Sequence, residues 1–258
     1  MPDTGKSVIR TENLWVVRRA LGRPPVYALR GVNFSVAPGE FVAIFGDVGV
    51  GKTTLLETLA GLLCPERGLV EWRLRGGRTR FWRPGLGLPR LEGRVGLLFQ
   101  NPERQLFGAT ALEDVAWGLQ ADGDPQERAQ AALAEAGVEP DLWGVALHRL
   151  SRGERRRVAL AGVLARRPEV LLLDEPLAAL DLDGQKRMWG LVEAFRLRTG
   201  GGVVVASHWP DELLPRADRV VCLVSGEVAF SGSPRAFLHA AAHREALGRL
   251  LGRGAVTR

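Results

Sequence analysis

The sequence is poor in lysine and cysteine, and it has no long apolar run. No stretch approaches the roughly 18 apolar residues that a membrane-spanning helix needs, and the opening ten residues lack the apolar centre of a secretory signal. Cys64 and Cys222 lie in apolar stretches without the spacing of metal ligands, so we interpret both as small core residues. These absences predict a chain that stays in the cytosol.

The positive charge of the chain comes almost wholly from arginine. The formal net charge is +6, whereas only Lys6, Lys52 and Lys186 are lysines. An arginine excess suits nucleic acid, anionic lipid or a solvated surface, and charge alone does not decide among them. A lysine in such a chain raises the question of why arginine would not serve, and for Lys52 the answer is chemical.

Short β-branched runs alternate with helical patterns, which predicts an α/β fold with a mainly parallel sheet. The predicted core strands are Phe41–Phe45, Val95–Phe99, Val170–Leu173, Val203–Ser207 and Val220–Val224. Three further runs predict a small antiparallel β subdomain, and they are Val8–Leu14, Gly31–Val36 and Leu69–Leu74.

The remaining segments predict helices around this core. From Leu112 to Leu150 the sequence is alanine-rich with glycine and proline breaks, which predicts an inserted α-helical lobe. Apolar residues from Ser233 onward recur at helical spacing. We therefore expect one domain spanning 1–258, with a core of 8–111 and 151–232, a lobe of 112–150 and a helical tail of 233–258.

A glycine-rich segment follows the first core strand and precedes a helical pattern. It comprises Gly46, Asp47, Val48, Gly49, Val50, Gly51, Lys52, Thr53 and Thr54, with the spacing of a phosphate-binding P-loop. Glycines let backbone N–H groups point at phosphate oxygens, and the start of the next helix adds to the attraction. Lys52 supplies a compact ammonium for the β- and γ-phosphates, and Thr53 a hydroxyl for Mg²⁺. An ordinary glycine-rich turn is the alternative, and the motif alone indicates an NTPase or kinase.

Two carboxylates follow the apolar strand Val170–Leu173. Ligands of parallel sheets bind at the carboxyl ends of the strands, so we expect Asp174 to hold Mg²⁺ through water. The pleat of a strand sends the next side chain, Glu175, the other way, where it would polarise the water that attacks the γ-phosphate. His208 ends another apolar strand at the same edge and is a candidate γ-phosphate contact. Solvated acids and a structural histidine are the alternatives.

A second segment opens another predicted helix. Leu150–Glu154 resembles the signature of ABC (ATP-binding cassette) ATPases, which is LSGGQ in many members. A serine and a glycine at a helix start leave free N–H groups that suit an anion. The resemblance implies that Ser151, Gly153 and Glu154 contact ATP bound to a second ATPase subunit in a head-to-tail dimer. Arg152 and Glu154 depart from the commonest residues, glycine and glutamine.

Other positions match the elements of ABC ATPases in order. Gln100 resembles the Q-loop glutamine, which senses Mg²⁺ and water and links to the membrane subunit. Ala179-Leu180-Asp181 resembles the D-loop that crosses the dimer interface, and His208 resembles the switch histidine. The resemblance therefore implies ATP and Mg²⁺ as cofactors and ATP hydrolysis as the reaction.

The residue that stacks on adenine is less obvious from the sequence. The usual offset of this aromatic residue falls on Arg18, whose guanidinium is able to stack on a ring. Trp15 and Tyr27 are the alternatives.

A narrower resemblance lies in Phe99–Phe107, Leu112–Gly118 and Ala161–Ala165. These segments are similar to the ATPases of energy-coupling-factor (ECF) transporters, which import vitamins or cobalt and nickel ions. In that family two ATPase subunits, identical or paired paralogues, bind a transmembrane coupling protein that carries a separate substrate-binding membrane protein. The resemblance implies a peripheral subunit at the cytoplasmic face of the cell membrane.

The membrane partner is expected to bind a groove between Gln100 and the helical lobe. The ECF-like segment from Gln100 to Gly118 lies between this ATP-sensing glutamine and helices that carry no catalytic motif. The alternative is that Gln105, Leu106 and Phe107 only pack the lobe onto the sheet.

Two other functions remain open. A conventional ABC importer or exporter ATPase differs only in the segment after Gln100. A nucleic-acid-associated ABC ATPase is suggested by the pI of 10.2 and by Arg73–Arg94, which contains Phe81 and Trp82. Against the latter, the chain has neither a second cassette nor a long coiled coil, and we interpret Arg155–Arg157 as charges on the outer face of a helix. No nucleic-acid partner is expected.

Overall fold

The computed structural model contains ten strands and seven α-helices in the part of the chain that it describes. The described residues are 7–19, 22, 24–75, 79–87, 89–91, 93–101, 104–119, 124–178 and 180–243. The strands are β1 (Ile9–Arg18), β2 (Val26–Val36), β3 (Phe41–Phe45), β4 (Arg67–Arg73), β5 (Thr79–Trp82), β6 (Val95–Leu98), β7 (Val170–Asp174), β8 (Gly202–Ala206), β9 (Arg219–Val224) and β10 (Glu227–Gly232). The helices are α1 (Lys52–Leu59), α2 (Ala111–Trp117), α3 (Pro125–Glu135), α4 (Arg152–Ala165), α5 (Leu182–Thr199), α6 (Pro210–Leu213) and α7 (Pro234–His243).

The central sheet has six strands in the order β10-β9-β3-β8-β7-β6. Neighbouring strands from β9 to β6 are parallel, and β10 adds an antiparallel edge. Strands β3, β7 and β8 are buried along their whole length, which explains their continuous runs of apolar residues. The predicted parallel core is confirmed.

A second sheet of four antiparallel strands, β2-β1-β4-β5, packs against one face of the central sheet. The sequence predicted its first three strands, but β1 continues to Arg18 and β2 begins at Val26. The omitted ends of the two strands are mostly apolar and pair with each other, with Val16 opposite Leu29 and Val17 opposite Tyr27. Trp72 and Trp82 are fully buried in this layer, and the Trp72 indole donates to the carbonyl of Leu59 in α1.

The helical lobe is built from α2, α3 and two short 3-10 turns, Pro140–Leu142 and Leu147–Arg149. Thr110 and Asp124 cap α2 and α3 by accepting hydrogen bonds from the first-turn amides. The apolar core of the lobe includes Val158 and Ala161 of α4, so that α4 packs against both the lobe and the central sheet.

The C-terminal tail is described only as far as His243, the last residue of α7. Phe237 is fully buried against Phe45 and Phe230, so α7 packs against the central sheet. Leu247, Leu250 and Leu251 of the predicted tail lie outside the described residues. Across the described ranges, no helix combines the length and apolar character that crossing a membrane requires.

Candidate functional site

The P-loop joins β3 to α1, as the sequence predicts, and its glycines have conformations that other residues rarely adopt. Gly46, Gly49 and Gly51 have φ values of 156°, 85° and 110°. A Cβ at Gly51 would lie 2.4 Å from the carbonyl oxygen of Ala28, and one at Gly46 would lie 2.6 Å from that of Leu223. Both glycines are therefore required by close backbone contacts as well as by φ.

The Lys52 ammonium lies inside this loop. Its Nζ donates to the carbonyl oxygens of Gly46 at 2.7 Å and Asp47 at 3.1 Å. Burial lowers the pKa of Lys52, while the carboxylates of Glu175, Asp174 and Asp47 act to raise it. A buried cation surrounded by loop carbonyls and acids is able to bind phosphate oxygens.

Asp174 ends β7 beside the first turn of α1. The Thr53 hydroxyl donates to Asp174 Oδ2 at 2.7 Å. Asp174 Oδ1 is buried and has no hydrogen-bond partner among the described residues. Burial raises the pKa of this carboxyl, and the Thr53 hydrogen bond acts in the opposite direction. A carboxylate oxygen and a hydroxyl are ligands that suit Mg²⁺, and a cation here would compensate the buried charge.

Glu175 does not continue the pleat of β7, and this part of the prediction is wrong. The strand ends at Asp174, and Glu175 has φ 47° while its amide donates to the carbonyl of Ala206 at 2.9 Å. A left-handed conformation is costly for a residue with a side chain, so it points to a functional constraint. Its direction is set by a turn, which brings Glu175 Oε1 to 2.8 Å from His208 Nδ1.

His208 follows β8, at the same end of the sheet. Its ring contacts that of Trp209, with 4.8 Å between the ring centroids. The Trp209 amide donates to the Ser207 hydroxyl at 3.0 Å. The histidine is thus positioned between an acid on one side and an exposed indole on the other.

These residues line one cleft of about 170 Å³. Its lining includes the exposed Gln100, which follows β6. The full lining is Val48, Gly49, Gly51, Lys52, Thr53, Thr54, Gln100, Asp174, Glu175 and His208. Residues far apart in the sequence therefore meet where the carboxyl ends of β3, β6, β7 and β8 converge.

Ser151, Gly153 and Glu154 lie elsewhere, at the start of α4. Ser151 and Glu154 form a capping box: the Glu154 amide donates to Ser151 Oγ at 3.2 Å, and the Ser151 amide donates to Glu154 Oε2 at 2.7 Å. The hydrogen bonds with Ser151 lower the pKa of Glu154. Among the described residues that line the cleft, none comes from this helix start.

Comparison with known proteins agrees with this geometry. The model of the ABC transporter family matches residues 29–178, which hold the P-loop, the signature helix and the strand with the two acids. The chain belongs to the ABC transporter family. This match confirms the ABC-type ATPase and the nucleotide binding that the motifs predict.

Relatives in this family are named for energy coupling. The chain is 40% identical over 211 residues to the energy-coupling factor transporter ATP-binding protein EcfA2 of Latilactobacillus sakei, covering 80% of this chain and 72% of the relative. It is 37% identical over 230 residues to EcfA1 of Listeria innocua, covering 86% and 78%. The resemblance to ECF ATPases is thereby confirmed.

Solved structures show the same fold. The structure of cbiO1 from Clostridium perfringens, described as part of the ABC transporter complex cbiONQ, has a TM-score of 0.72 and 30% identity and covers 96% of this chain and 98% of its own. A dimeric ATP-binding cassette, MJ0796 bound to ADP and phosphate, has a TM-score of 0.76 and 28% identity, covering 88% and 99%.

Arg156 is the residue of this ABC ATPase that sequence reasoning misplaced. The three arginines Arg155–Arg157 were interpreted as charges on an outer helix face, but Arg156 is only 4% exposed. Its guanidinium donates to backbone carbonyls beside the cleft. Buried Ala159, Leu160 and Val163 stand three, four and seven positions later, so helical spacing places Arg156 on their face. The sequence prediction gave more weight to its charge, because charged residues are usually exposed.

Arg18, the candidate for stacking on adenine, contacts the first helix of the ABC core. Its Nε donates to Thr54 Oγ1 at 3.1 Å, and its Nη2 forms an ion pair with Glu57. The two alternatives, Trp15 and Tyr27, contact each other edge to face at 5.6 Å. Arg18 is thus the one of the three that bonds to a P-loop residue.

The segment after Gln100 has two different roles in the ABC fold. Gln105 accepts from the Phe99 amide at 2.7 Å and donates to the Leu97 carbonyl at 2.7 Å, so it binds the lobe segment to the edge strand β6. Leu106 packs partly into the core, whereas Phe107 is 69% exposed. Packing therefore explains Gln105 and Leu106 but not Phe107. Two residues of this segment, Pro102 and Glu103, lie outside the described residues, and so does Ala179 of the D-loop.

Proposed function

We propose that this ABC ATPase energises micronutrient import, of a vitamin or a transition-metal ion, through an ECF-type transporter. The observation that carries the proposal is the single cleft in which Lys52, Asp174, Glu175 and His208 meet. The names of the EcfA1 and EcfA2 relatives support the ECF subtype.

The residues of the cleft divide the chemistry of ATP hydrolysis. The P-loop amides of Gly46–Thr54 and the Lys52 ammonium bind the phosphates. Thr53, Asp174 and Gln100 would hold Mg²⁺, which when bound neutralises phosphate charge. Glu175 accepts a proton from the attacking water, and the 2.8 Å contact with His208 orients its carboxylate. His208 in turn contacts the γ-phosphate.

A second subunit, identical or a paralogue, would complete each site. Ser151, Gly153 and Glu154 are positioned on a capped helix start outside the chain's own cleft. Val48 of the P-loop and Leu182 after the D-loop are 85% and 75% exposed. Apolar side chains this exposed are typical of a surface that a partner subunit covers. A head-to-tail dimer would place the helix start of one chain against the γ-phosphate of the other.

Arg18 would bind the adenine base. Its contacts with Thr54 and Glu57 hold the guanidinium beside the P-loop. A guanidinium held by its edge leaves a flat face for stacking.

The membrane partner would bind at the cytoplasmic face, in a groove of about 370 Å³ between β6, α2 and α4. Leu62 and Phe107 on its border are 53% and 69% exposed, more than a large apolar side chain usually is. Arg104 and Arg166 also line the groove. A membrane subunit that presents apolar and acidic side chains suits this surface. The substrate-binding membrane protein would join only through that subunit.

The nucleic-acid alternative loses support from the Arg73–Arg94 segment. Trp82 is fully buried, so only Phe81 is exposed for stacking. Arg75 donates to the carbonyl of Thr199, and Arg94 pairs with Glu169 at 3.1 Å. These contacts bind the segment to the protein itself.

Purification from native membranes in mild detergent, followed by mass spectrometry, tests the proposal. Recovery of one transmembrane coupling protein with a small substrate-binding membrane protein is the expected result. Conventional permease subunits would instead support the conventional importer or exporter. Ribosomes or RNA alone would contradict a transport function.

A further inference from the structure

Arg156 joins three functional segments through backbone carbonyls. Its Nη1 donates to the carbonyl oxygens of Glu175 at 2.9 Å, Pro176 at 2.8 Å and Ala178 at 2.9 Å. Its Nη2 donates to the carbonyl of Gln100 at 2.5 Å. The first three carbonyls follow β7 and lead into the D-loop, while the fourth belongs to the Q-loop glutamine.

The chemistry of this contact requires a guanidinium. Four acceptors from two separate loops are reached by one planar, permanently charged group with a fan of N–H donors. Hydrogen bonds from a charged donor are stronger than neutral ones. Burial lowers the pKa of Arg156 and the neighbouring Asp174 and Glu175 act to raise it, but the group stays protonated at physiological pH.

Arg156 also belongs to the signature helix. It stands in α4 five positions after Ser151, the capping residue. A helix transmits displacement along its axis because its backbone hydrogen bonds make it stiff. A shift of the carbonyls around Glu175 would therefore move the helix start that faces the partner's nucleotide.

We propose that Arg156 is a positioning residue that couples the two ATP sites of the dimer. It binds the loops of Gln100 and Glu175, which serve the chain's own ATP, to the helix of Ser151, which serves the ATP of the partner. The three segments then shift as one unit when ATP binds. This inference rests on the proposed head-to-tail dimer.

The test compares Arg156→Lys with Arg157→Lys, the same change one residue along α4. A lysine ammonium is compact and cannot reach four carbonyls in two loops, so Glu175 loses its fixed position. We expect kcat to fall about 10²-fold, the cost of a misplaced catalytic group, while the Kd for ATP stays that of the parent. In a Glu175→Gln background, Arg156→Lys should also weaken ATP-driven dimerisation, whereas Arg157→Lys should leave both properties unchanged.

A purely structural role would lower stability without separating kcat from nucleotide affinity. The inference is overturned if folded Arg156→Lys keeps the parental kcat and dimerises as well as Arg157→Lys. If Arg156→Lys does not fold, Arg156→Gln, which retains a planar group with two N–H donors, replaces it with the same expected results. If the Glu175→Gln parent itself fails to dimerise with ATP and Mg²⁺, the dimer proposal fails instead.

Hydrogen exchange on the unsubstituted chain tests the coupling without any variant. At a concentration where the chain is monomeric, ATP with Mg²⁺ should slow amide exchange at Glu175, Leu177 and Ala178 and in the first turn of α4 together. Slower exchange at the three residues after β7 alone would show that the helix start does not respond, and it would refute the coupling.

Discussion

Replacing Glu175 by glutamine separates catalysis from binding and from stability. The carboxylate is 8% exposed and contacts His208 at 2.8 Å. A glutamine has the same shape and retains an oxygen and an N–H₂ group that are able to bond to His208, so we expect the fold to persist. It cannot accept a proton from water, and the loss of a general base costs about 10²- to 10⁴-fold in rate.

The magnitudes distinguish the two effects. At 1.36 kcal/mol for each factor of ten, that loss of rate corresponds to about 3 to 5 kcal/mol of barrier. A single altered hydrogen bond changes the free energy of unfolding by about 1 kcal/mol. A catalytic role therefore predicts a fall in turnover that stability alone does not explain.

The assay is phosphate release at saturating ATP and Mg²⁺, alongside measured ATP affinity and melting temperature. Glu212→Gln is the matched control, since Glu212 lies on α6 near His208 but outside the cleft, and burial raises its pKa. We expect Glu175→Gln to bind ATP and nearly stop turning over, and Glu212→Gln to keep its turnover. Near-normal turnover of Glu175→Gln would remove Glu175 from the role of base.

Three further outcomes follow from the same geometry. In the Glu175→Gln background, Ser151→Arg should prevent the dimerisation that ATP and Mg²⁺ drive in gel filtration, because it puts a bulky side chain at the proposed γ-phosphate contact. Ser233 is exposed and precedes α7, where its hydroxyl accepts from the Ala236 amide, and Ser233→Arg should not prevent dimerisation. Equal dimerisation of the two variants would place the signature away from the interface. Asp174→Asn should abolish Mg²⁺-dependent hydrolysis yet raise the melting temperature without nucleotide. Since burial raises the pKa of Asp174 above 3.8, ionisation costs stability as pH rises from 3.8 through the folded value; the gain should therefore be absent near pH 3 and grow as pH rises, and a gain that does not grow with pH would contradict it. Phe107→Ser should reduce recovery of the membrane subunit without changing the ATPase rate of the isolated chain, whereas Leu197→Ser, at a 78% exposed position on α5, should leave recovery unchanged; equal recovery would exclude Phe107 from the docking surface.

The sequence predicted the parallel strands because buried parallel strands are continuous apolar runs. Phe41–Phe45 is a strand over its full predicted length, and Val170–Leu173 is extended by one residue. The antiparallel strands β1 and β2 were predicted too short. Their missed ends pair with each other, Val16 opposite Leu29 and Val17 opposite Tyr27, and neither run shows that pairing by itself. The local pattern therefore identified each of these strands, but it predicted the boundaries of the solvent-facing strands β1 and β2 less reliably.

What the sequence determined by itself is the chemistry that depends on short spacing. The P-loop, the acid pair Asp174 and Glu175, and the signature Leu150–Glu154 are each recognised from neighbouring residues, because backbone geometry over a few positions dictates such motifs. Only the tertiary structure decided the direction of Glu175, which has a left-handed conformation and donates its amide to the carbonyl of Ala206. It also decided the role of Arg156, whose four carbonyl partners lie 19 to 56 residues away in the sequence. The sequence does not show which distant carbonyl oxygens bind the Arg156 guanidinium, because every residue carries such an oxygen.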